Sequence, residues 1–271
     1  MSSRKPSDQA DATEPLLHRG SYLLYPDEHS EDTAWPANTD LALIVLNAPI
    51  LHDKSALFSS IWSRATYRIC IDGGGNHLYD FGRASGSPSQ FIPDAIVGDL
   101  DSLHAEPRAY YEQQGSVIHR YSDQDSTDFM KGLRYLDSEL RPGKDAKSCV
   151  SVVFGGLGGR LDHILHTLKV LFNNHERRNI VVVSDDNLTF VVPRGRNRIL
   201  ANAQVDGPTC GILPLAGETM LTTDGLRWNL DNHPSSFEGL MSTSNLIDGP
   251  EIIIETTLPV AWTSQFRPKK I

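Results

Sequence analysis

The sequence predicts an α/β fold in which a parallel-sheet, three-layer domain is followed by an all-β sandwich domain. Up to about residue 185, short continuous apolar runs alternate with segments of helical period. Such alternation is typical of parallel strands joined by helical crossovers. After residue 185 the helical period ends, and short apolar runs recur with turn residues between them, which is typical of a sandwich. We therefore predict three segments: 1–38, 39–185 and 186–271.

Composition and charge narrow the class of protein. With 271 residues, 39% apolar and 22% charged, the chain is long enough to fold as two domains. The net charge of −9 disfavours a nucleic-acid partner. The three cysteines lie far apart without a C-x-x-C spacing, and no apolar run approaches 18 residues. These features predict a cytoplasmic protein without disulfides, a zinc site or a membrane span.

The first segment, residues 1–38, is polar and acidic and carries four prolines without sustained periodicity. This composition predicts a disordered tail. Regular structure is expected from a strand at 41–46, followed by a helix that buries Leu57, Phe58, Ile61 and Trp62.

A strand at 67–71 leads directly into a glycine turn, Asp72-Gly73-Gly74-Gly75-Asn76, and then a helix. Glycine has no side chain to block an approaching anion, so such a junction presents backbone N–H groups at a helix N-terminus. The alternative is a tight turn that binds no ligand.

Four carboxylates follow in the next stretch. Asp99 and Asp101 alternate by two after the apolar run 95–97, so an extended backbone directs both to one side. Asp125 and Asp128 are three apart at the start of a helix predicted over 126–140, again on one face. Such oxygen ligands suit Mg²⁺ shared with substrate phosphates. Capping and turn chemistry is the alternative.

After a strand at 117–120 and another at 149–154, a second glycine-rich turn occupies 155–163 and leads into a helix. Arg160 can pair with a phosphate and Asp162 with a metal or a ribose hydroxyl; alternatively, the two only balance charge. Both glycine turns and both acidic pairs fall at the carboxyl ends of the strands, where open parallel sheets bind ligands. Neither turn matches a Rossmann or Walker fingerprint.

The pattern changes from a strand at 180–184 onward, and strands are expected in the last segment at 188–192, 211–215, 219–223, 252–256 and 260–263. Two polar-aromatic clusters lie between them, at 225–230 around Trp228 and at 241–245. An aromatic face with amide and hydroxyl groups suits a flat heterocycle. The alternative is a core tryptophan with serine and asparagine as turn caps.

Six motifs resemble those of the eukaryotic thiamin pyrophosphokinases and occur in that family's order. They are D-G-G-G-N-H-L-Y-D at 72–80, G-D-L-D-S at 98–102, D-Q-D-S-T-D-F at 123–129, G-G-L-G-G-R-L-D-H at 155–163, G-L-R-W-N-L at 225–230 and S-T-S-N at 242–245. The resemblance covers residues 40–263. It implies transfer of a diphosphoryl group from ATP to the hydroxyl of thiamin with Mg²⁺, giving thiamin diphosphate and AMP, in a homodimer with active sites between subunits.

The same resemblance implies roles for individual residues. The catalytic and metal-binding residues would be Asp99, Asp101 and Asp128, and Asp128 fits both metal ligand and proton acceptor. The ATP-binding residues would be Asp72, Gly73, Gly74, Asn76, Gly156, Arg160 and Asp162. The thiamin-binding residues would be Gln124, Thr127, Asp128, Trp228, Ser242 and Asn245.

Two other classes of function fit the same residues. One is a different Mg²⁺-dependent enzyme, a nucleotide hydrolase or nucleotidyl transferase, since carboxylates and glycine turns serve these reactions too. The other is a non-catalytic regulator that binds thiamin or a nucleotide.

Overall fold

The structure, a computed structural model, describes residues 15–24, 39–123, 126–184, 186–202 and 205–266. The elements up to residue 183 are β1 (Leu16–His18), α1 (Gly20–Leu24), β2 (Asp40–Val45), α2 (Ser55–Arg64), β3 (Tyr67–Ile71), α3 (Gly74–Ala84), β4 (Ala95–Gly98), α4 (Ala105–Gln113), β5 (Val117–Arg120), α5 (Asp128–Tyr135), β6 (Cys149–Phe154), α6 (Leu161–Asn174) and β7 (Asn179–Val183). A π-helical turn (Leu136–Leu140) continues α5, and 3₁₀ turns occur at His52–Lys54, Pro88–Gln90 and Ala146–Ser148.

The later elements are all strands: β8 (Asn187–Val192), β9 (Gly195–Leu200), β10 (Asp206–Leu213), β11 (Thr219–Asp224), β12 (His233–Ser235), β13 (Ser242–Leu246), β14 (Glu251–Thr256) and β15 (Val260–Phe266). No helix within the described ranges is both long and apolar enough to cross a membrane.

The strands form one sheet of ten and one of five. The larger sheet has the order β13-β10-β15-β8-β7-β6-β2-β3-β4-β5, and the six strands from β7 to β5 are parallel. Its parallel part forms the middle of three layers, because side chains alternate along each strand. Leu41, Leu43 and Val45 of β2 join the apolar cluster of α2, α3 and α4, whereas Ala42 and Ile44 join that of α5 and α6. The three-layer prediction is confirmed.

The second half is β-rich, as predicted. The five-stranded sheet β1-β9-β14-β11-β12 and the antiparallel end of the larger sheet contribute to a common apolar core, with Ile199 and Ile254 from the first and Phe190, Ile212 and Trp262 from the second. The halves are nevertheless connected through hydrogen bonds, because β8 pairs antiparallel with β7. The boundary near residue 185 therefore falls inside a continuous sheet, and as a domain limit it stays a prediction.

The expectation of a disordered tail is wrong for residues 15–24. β1 pairs in parallel with β9, and the ring of His18 stacks on Phe190 at a centroid distance of 5.2 Å. The Ser21 hydroxyl donates to Oδ2 of the Asp206 carboxylate at 2.6 Å. A strand of three residues and a helix of five have almost no local periodicity, so these elements depend on partners about 180 positions later in the chain.

We expect residues 15–24 to contribute substantially to stability. A chain that begins at residue 25 should have a free energy of unfolding at least about 2 kcal/mol lower than one that begins at residue 15, because it loses buried apolar contacts and several hydrogen bonds. Urea denaturation of the two truncated chains measures this difference in free energy. Because both chains lack residues 1–14, that segment does not contribute to it. Equal unfolding midpoints would show that β1 and α1 add nothing to the fold.

Candidate active site at the carboxyl edge of the sheet

The predicted site elements meet at one edge of the parallel sheet. β3 runs into the first glycine turn, β4 into Asp99, and β6 into the second glycine turn. β2 lies between β3 and β6. The chain therefore continues from β2 to β3 on one side and later returns to form β6 on the other side of β2. This is the topological switch point at which open α/β sheets form a ligand crevice.

The first glycine turn has a tight geometry that only glycine permits. α3 already begins at Gly74, and a Cβ on Gly74 would lie 2.4 Å from the carbonyl oxygen of Val45. Asp72, the first residue of this turn, is buried and has a positive φ of 45°, a conformation that is uncommon for residues other than glycine. Such strained positions concentrate at functional sites.

Three carboxylates converge beside this turn. Asp72, Asp99 and Asp128 each offer an oxygen, and these oxygens all lie within 4.8 Å of one another. Backbone donors orient two of them: the N–H of Asp99 donates to Asp128 Oδ1 at 3.2 Å, and that of Ser102 to Asp72 Oδ1 at 3.3 Å. Burial raises the pKa of the Asp72 carboxyl, and the nearby charge of Asp128 acts in the same direction.

The position of Asp128 depends on close packing of α5. Asp128 is the first residue of this helix, and a Cβ on Gly132 would lie 2.2 Å from Ile71 Cδ1, so glycine lets α5 approach β3. The buried Lys131 donates to Asp128 Oδ1 at 2.9 Å. Lys131 was not among the predicted site residues, although its spacing of three from Asp128 on a helix is the signal of an ion pair.

The predicted backbone geometry at Asp99 and Asp101 is wrong. β4 ends at Gly98, and Leu100 has a positive φ of 65°, so the backbone turns instead of continuing in an extended conformation. Asp101 is exposed and accepts from the Ser102 hydroxyl at 3.0 Å. Asp72 takes the third position of the described carboxylate cluster, and the metal and catalytic role of Asp101 stays a prediction.

Two residues that were predicted to bind ATP form hydrogen bonds or ion pairs with other residues of the chain. The amide of Asn76 donates to the carbonyl of Ser102 at 2.7 Å and accepts from the N–H of His104 at 2.9 Å. Asn76 thereby ties the first glycine turn to the loop after β4, which is a positioning role. At the second turn, Arg160 forms a two-pronged ion pair with Asp162, with a shortest distance of 2.6 Å. Both side chains are exposed, so this pair contributes little stability and leaves Arg160 able to exchange partners.

The predicted heterocycle site lies in the β-rich half. Trp228 is 59% exposed, while its backbone is held by the buried amide of Asn245. That amide accepts from Trp228 N–H at 3.2 Å and donates to the Trp228 carbonyl at 2.9 Å and to the Ser242 hydroxyl at 3.2 Å. Trp228 is therefore not a core tryptophan, and Asn245 acts by fixing the loop that presents it.

The remaining predicted contacts lie near α5. Thr127 precedes this helix, and its hydroxyl is 3.4 Å from Nδ1 of His166 on α6. Gln124 and Asp125 lie outside the described residues.

The carboxylate cluster and Trp228 are far apart along the sheet. Asp99 follows β4, whereas Asn245, whose amide holds the Trp228 backbone, lies on β13, the outermost strand at the other end of the strand order. The two strands are eight steps apart in the strand order, which at about 4.8 Å a step is roughly 38 Å along the sheet.

Comparisons with known proteins cover most of the chain. A family model described as the thiamin pyrophosphokinase catalytic domain matches residues 58–183, and one described as the thiamin pyrophosphokinase vitamin B1 binding domain matches residues 196–261. Thiamine pyrophosphokinase 1 of Oryza sativa subsp. japonica is 33% identical over 264 residues, covering 93% of this chain and 98% of that protein. Thiamine pyrophosphokinase 1 of Arabidopsis thaliana is 34% identical over 262 residues, covering 93% and 94%.

Solved structures show the same fold. Yeast thiamin pyrophosphokinase superposes with a TM-score of 0.79 at 25% identity, covering 95% of this chain and 93% of that one. The enzyme from Candida albicans gives a TM-score of 0.77 at 23% identity, covering 93% and 94%.

Proposed function

The chain belongs to the thiamin pyrophosphokinase family, and from this premise we propose that it transfers the diphosphoryl group of ATP to the hydroxyl of thiamin, giving thiamin diphosphate and AMP. The observation that carries the proposal is the convergence of Asp72, Asp99 and Asp128 within 4.8 Å beside the first glycine turn. Diphosphoryl transfer needs neutralised phosphate charge and an aligned alcohol more than a covalent nucleophile.

The carboxylate cluster fits Mg²⁺. Three carboxylates carry a formal charge of −3, and the Lys131 ammonium that pairs with Asp128 leaves −2, which matches a divalent cation. Hard oxygen ligands are those that Mg²⁺ prefers. Asp72, Asp99 and Asp128 would hold the ion, with Asp101 in the same loop. When bound, Mg²⁺ supplies positive charge next to the phosphate oxygens.

The residues around the crevice would bind ATP. The first glycine turn offers the N–H groups at the start of α3, and Gly156 with Arg160 flanks the other side of β2. Arg160 would exchange the exposed carboxylate of Asp162 for a phosphate, and a guanidinium binds either group through two parallel hydrogen bonds. On the thiamin side, Asp128 would accept the proton of the alcohol or hold the metal. Thr127 and Gln124 would lie next to thiamin.

We further propose that two copies of the chain share each active site. One copy would supply the carboxylates, and the second would supply Trp228, Ser242 and Asn245 for the thiamin rings. The separation of roughly 38 Å along the sheet and the exposure of Trp228 support this arrangement. Closed two-fold symmetry then provides two equal sites. Sedimentation of the purified chain should give about twice the monomer mass.

The reaction itself tests the proposal. The purified chain, incubated with ATP, thiamin and Mg²⁺, should form thiamin diphosphate and AMP in equal amounts, and AMP should not form without thiamin. A nucleotidyl transferase would release diphosphate, a hydrolase would consume ATP without thiamin, and a regulator would form no product. Any of these three results would contradict the proposed function.

Removal of divalent cations should abolish turnover. We expect excess EDTA to lower the rate at least about a hundredfold, because the charge of the phosphates is then not neutralised, and added Mg²⁺ should restore it. Mg²⁺ should also raise the melting temperature of the free chain, since it relieves repulsion between the three carboxylates. If the rate in EDTA stayed unchanged, the metal site would have to be abandoned.

We keep the cytoplasmic location as a proposal. It is supported by Cys70, Cys149 and Cys210, which are all buried free thiols, as expected for a reducing compartment.

A further inference from the structure

Lys131 is a buried cation beside the carboxylate cluster. Its side chain is 3% exposed, and its Nζ lies 2.9 Å from Oδ1 of Asp128, whose own side chain is 30% exposed. A substrate in the crevice can therefore contact Asp128, whereas the ammonium of Lys131 is almost closed to it. Any part that Lys131 has in the reaction is exerted through Asp128.

Stability alone is a poor reason for this ion pair. Burial of an ammonium costs free energy that its attraction to a carboxylate only partly recovers, and apolar residues of similar volume often stabilise a protein as well as a buried pair does. α5 already buries the apolar side chains of Phe129 and Leu133, so an apolar residue at position 131 would suit the fold. The pairing of Lys131 with a residue of the carboxylate cluster points instead to a role in the site.

The two oxygens of the Asp128 carboxylate have different surroundings. Oδ1 accepts from Lys131 Nζ at 2.9 Å and from the N–H of Asp99 at 3.2 Å, and a Cβ on Gly98 would lie 3.4 Å from it. A carboxylate oxygen has about two lone-pair sites, so these two donors occupy Oδ1. Within the described residues, no donor contacts Oδ2. Oδ2 is therefore the oxygen that is left for a ligand.

We propose that Lys131 is a positioning residue: its ammonium fixes Oδ1 of Asp128 and thereby presents Oδ2 to the metal ion and to the hydroxyl of the substrate. This inference rests on the proposed function, because it assigns Oδ2 of Asp128 to that reaction. Lys131 also offsets one of the three carboxylate charges, which lowers the attraction of the cluster for a divalent cation.

Titration with Mg²⁺ separates a positioning role from a contribution to stability. Lys131→Met keeps the three carboxylates and removes the ammonium, so calorimetry should show Mg²⁺ binding at least about fivefold tighter than in the wild-type chain. The same variant should lower kcat at least about tenfold, because Asp128 is no longer held. Lys169→Met, at an exposed lysine of α6, is the matched control and should change neither value. A general loss of stability would not tighten the metal site.

A double variant tests whether Lys131 acts through Asp128. In an Asp128→Asn background, Lys131→Met should lower the residual kcat by less than about twofold, since the group that Lys131 positions is already absent. It should also raise the melting temperature of that background, because Asp128→Asn leaves the ammonium buried without a carboxylate. A further tenfold fall in kcat, or no change in melting temperature, would overturn the proposal.

A structure of the wild-type chain with Mg²⁺ needs no variant, and it should show Lys131 Nζ on Oδ1 of Asp128 and the ion on Oδ2. The proposal would be overturned by an ion on Oδ1, by displacement of Nζ from Asp128, or by Mg²⁺ binding in Lys131→Met that is no tighter than in the wild-type chain. This structure and the titration use neither thiamin nor ATP. A chain that met both expectations and formed no thiamin diphosphate would contradict the proposed function and not the role of Lys131 at Asp128.

Discussion

Asp99→Asn is expected to lower kcat for thiamin diphosphate formation roughly 10²- to 10³-fold, which is the usual cost of removing one preorganised charged group from a transition-state site. The side chain of Asp99 belongs to the cluster of three carboxylates, and the amide that replaces it is neutral and a poorer metal ligand. The fold should survive, because Asp99 follows the end of β4 and lies outside the apolar core. Turnover at saturating Mg²⁺ and thermal melting measure the two effects.

The matched control for this experiment is Asp186→Asn, at an exposed position between β7 and β8, which should keep near wild-type turnover. Asp101→Asn tests the remaining acid of the predicted set, and we expect it to lower turnover as well. If Asp99→Asn turned over like the control, the carboxylate cluster would not be the catalytic centre.

Trp228→Ala should raise the KM for thiamin at least about tenfold and leave the KM for ATP unchanged. An exposed indole face can stack on the flat rings of thiamin, and its quadrupole attracts the positively charged thiazolium ring by about 2 kcal/mol once water is removed. Trp228→Phe retains an aromatic face and should recover most of the affinity. An equal rise in both KM values would indicate a general disturbance of the protein instead of a lost thiamin contact.

Much of the α/β half could be predicted from the sequence because its central strands are largely buried on both faces. The runs at 67–71 and 149–154 coincide with β3 and β6, since a largely apolar run bounded by turn residues has few other uses in a soluble protein. The three-layer arrangement then follows from the alternation with helices.

The parts that could not be predicted depend on contacts between distant residues. β1 is stabilised by β9, about 180 residues later, and local patterns contain no information about such a partner. The joining of both halves into one sheet depends on the pairing of β7 with β8. Asp72 enters the carboxylate cluster because of its positive φ, and Asp101 lies outside the described cluster because of the positive φ of Leu100. A positive φ at a single residue is hard to predict from the residue type here, since neither Asp72 nor Leu100 is glycine.

Mixing two impaired variants tests most directly the claim that the carboxylates of one copy and Trp228 of another form one site. Asp128→Asn lacks a carboxylate of the cluster, and Trp228→Ala should keep at most about a tenth of wild-type activity at a thiamin concentration well below the KM. The two variants are unfolded, mixed in equal amounts and refolded. Random pairing makes half of the dimers heterodimers, and each heterodimer contains one intact site and one doubly damaged site. We expect recovery of about a quarter of wild-type activity. No recovery, with heterodimers confirmed by mass, would contradict it, because both residues would then serve a site within a single chain.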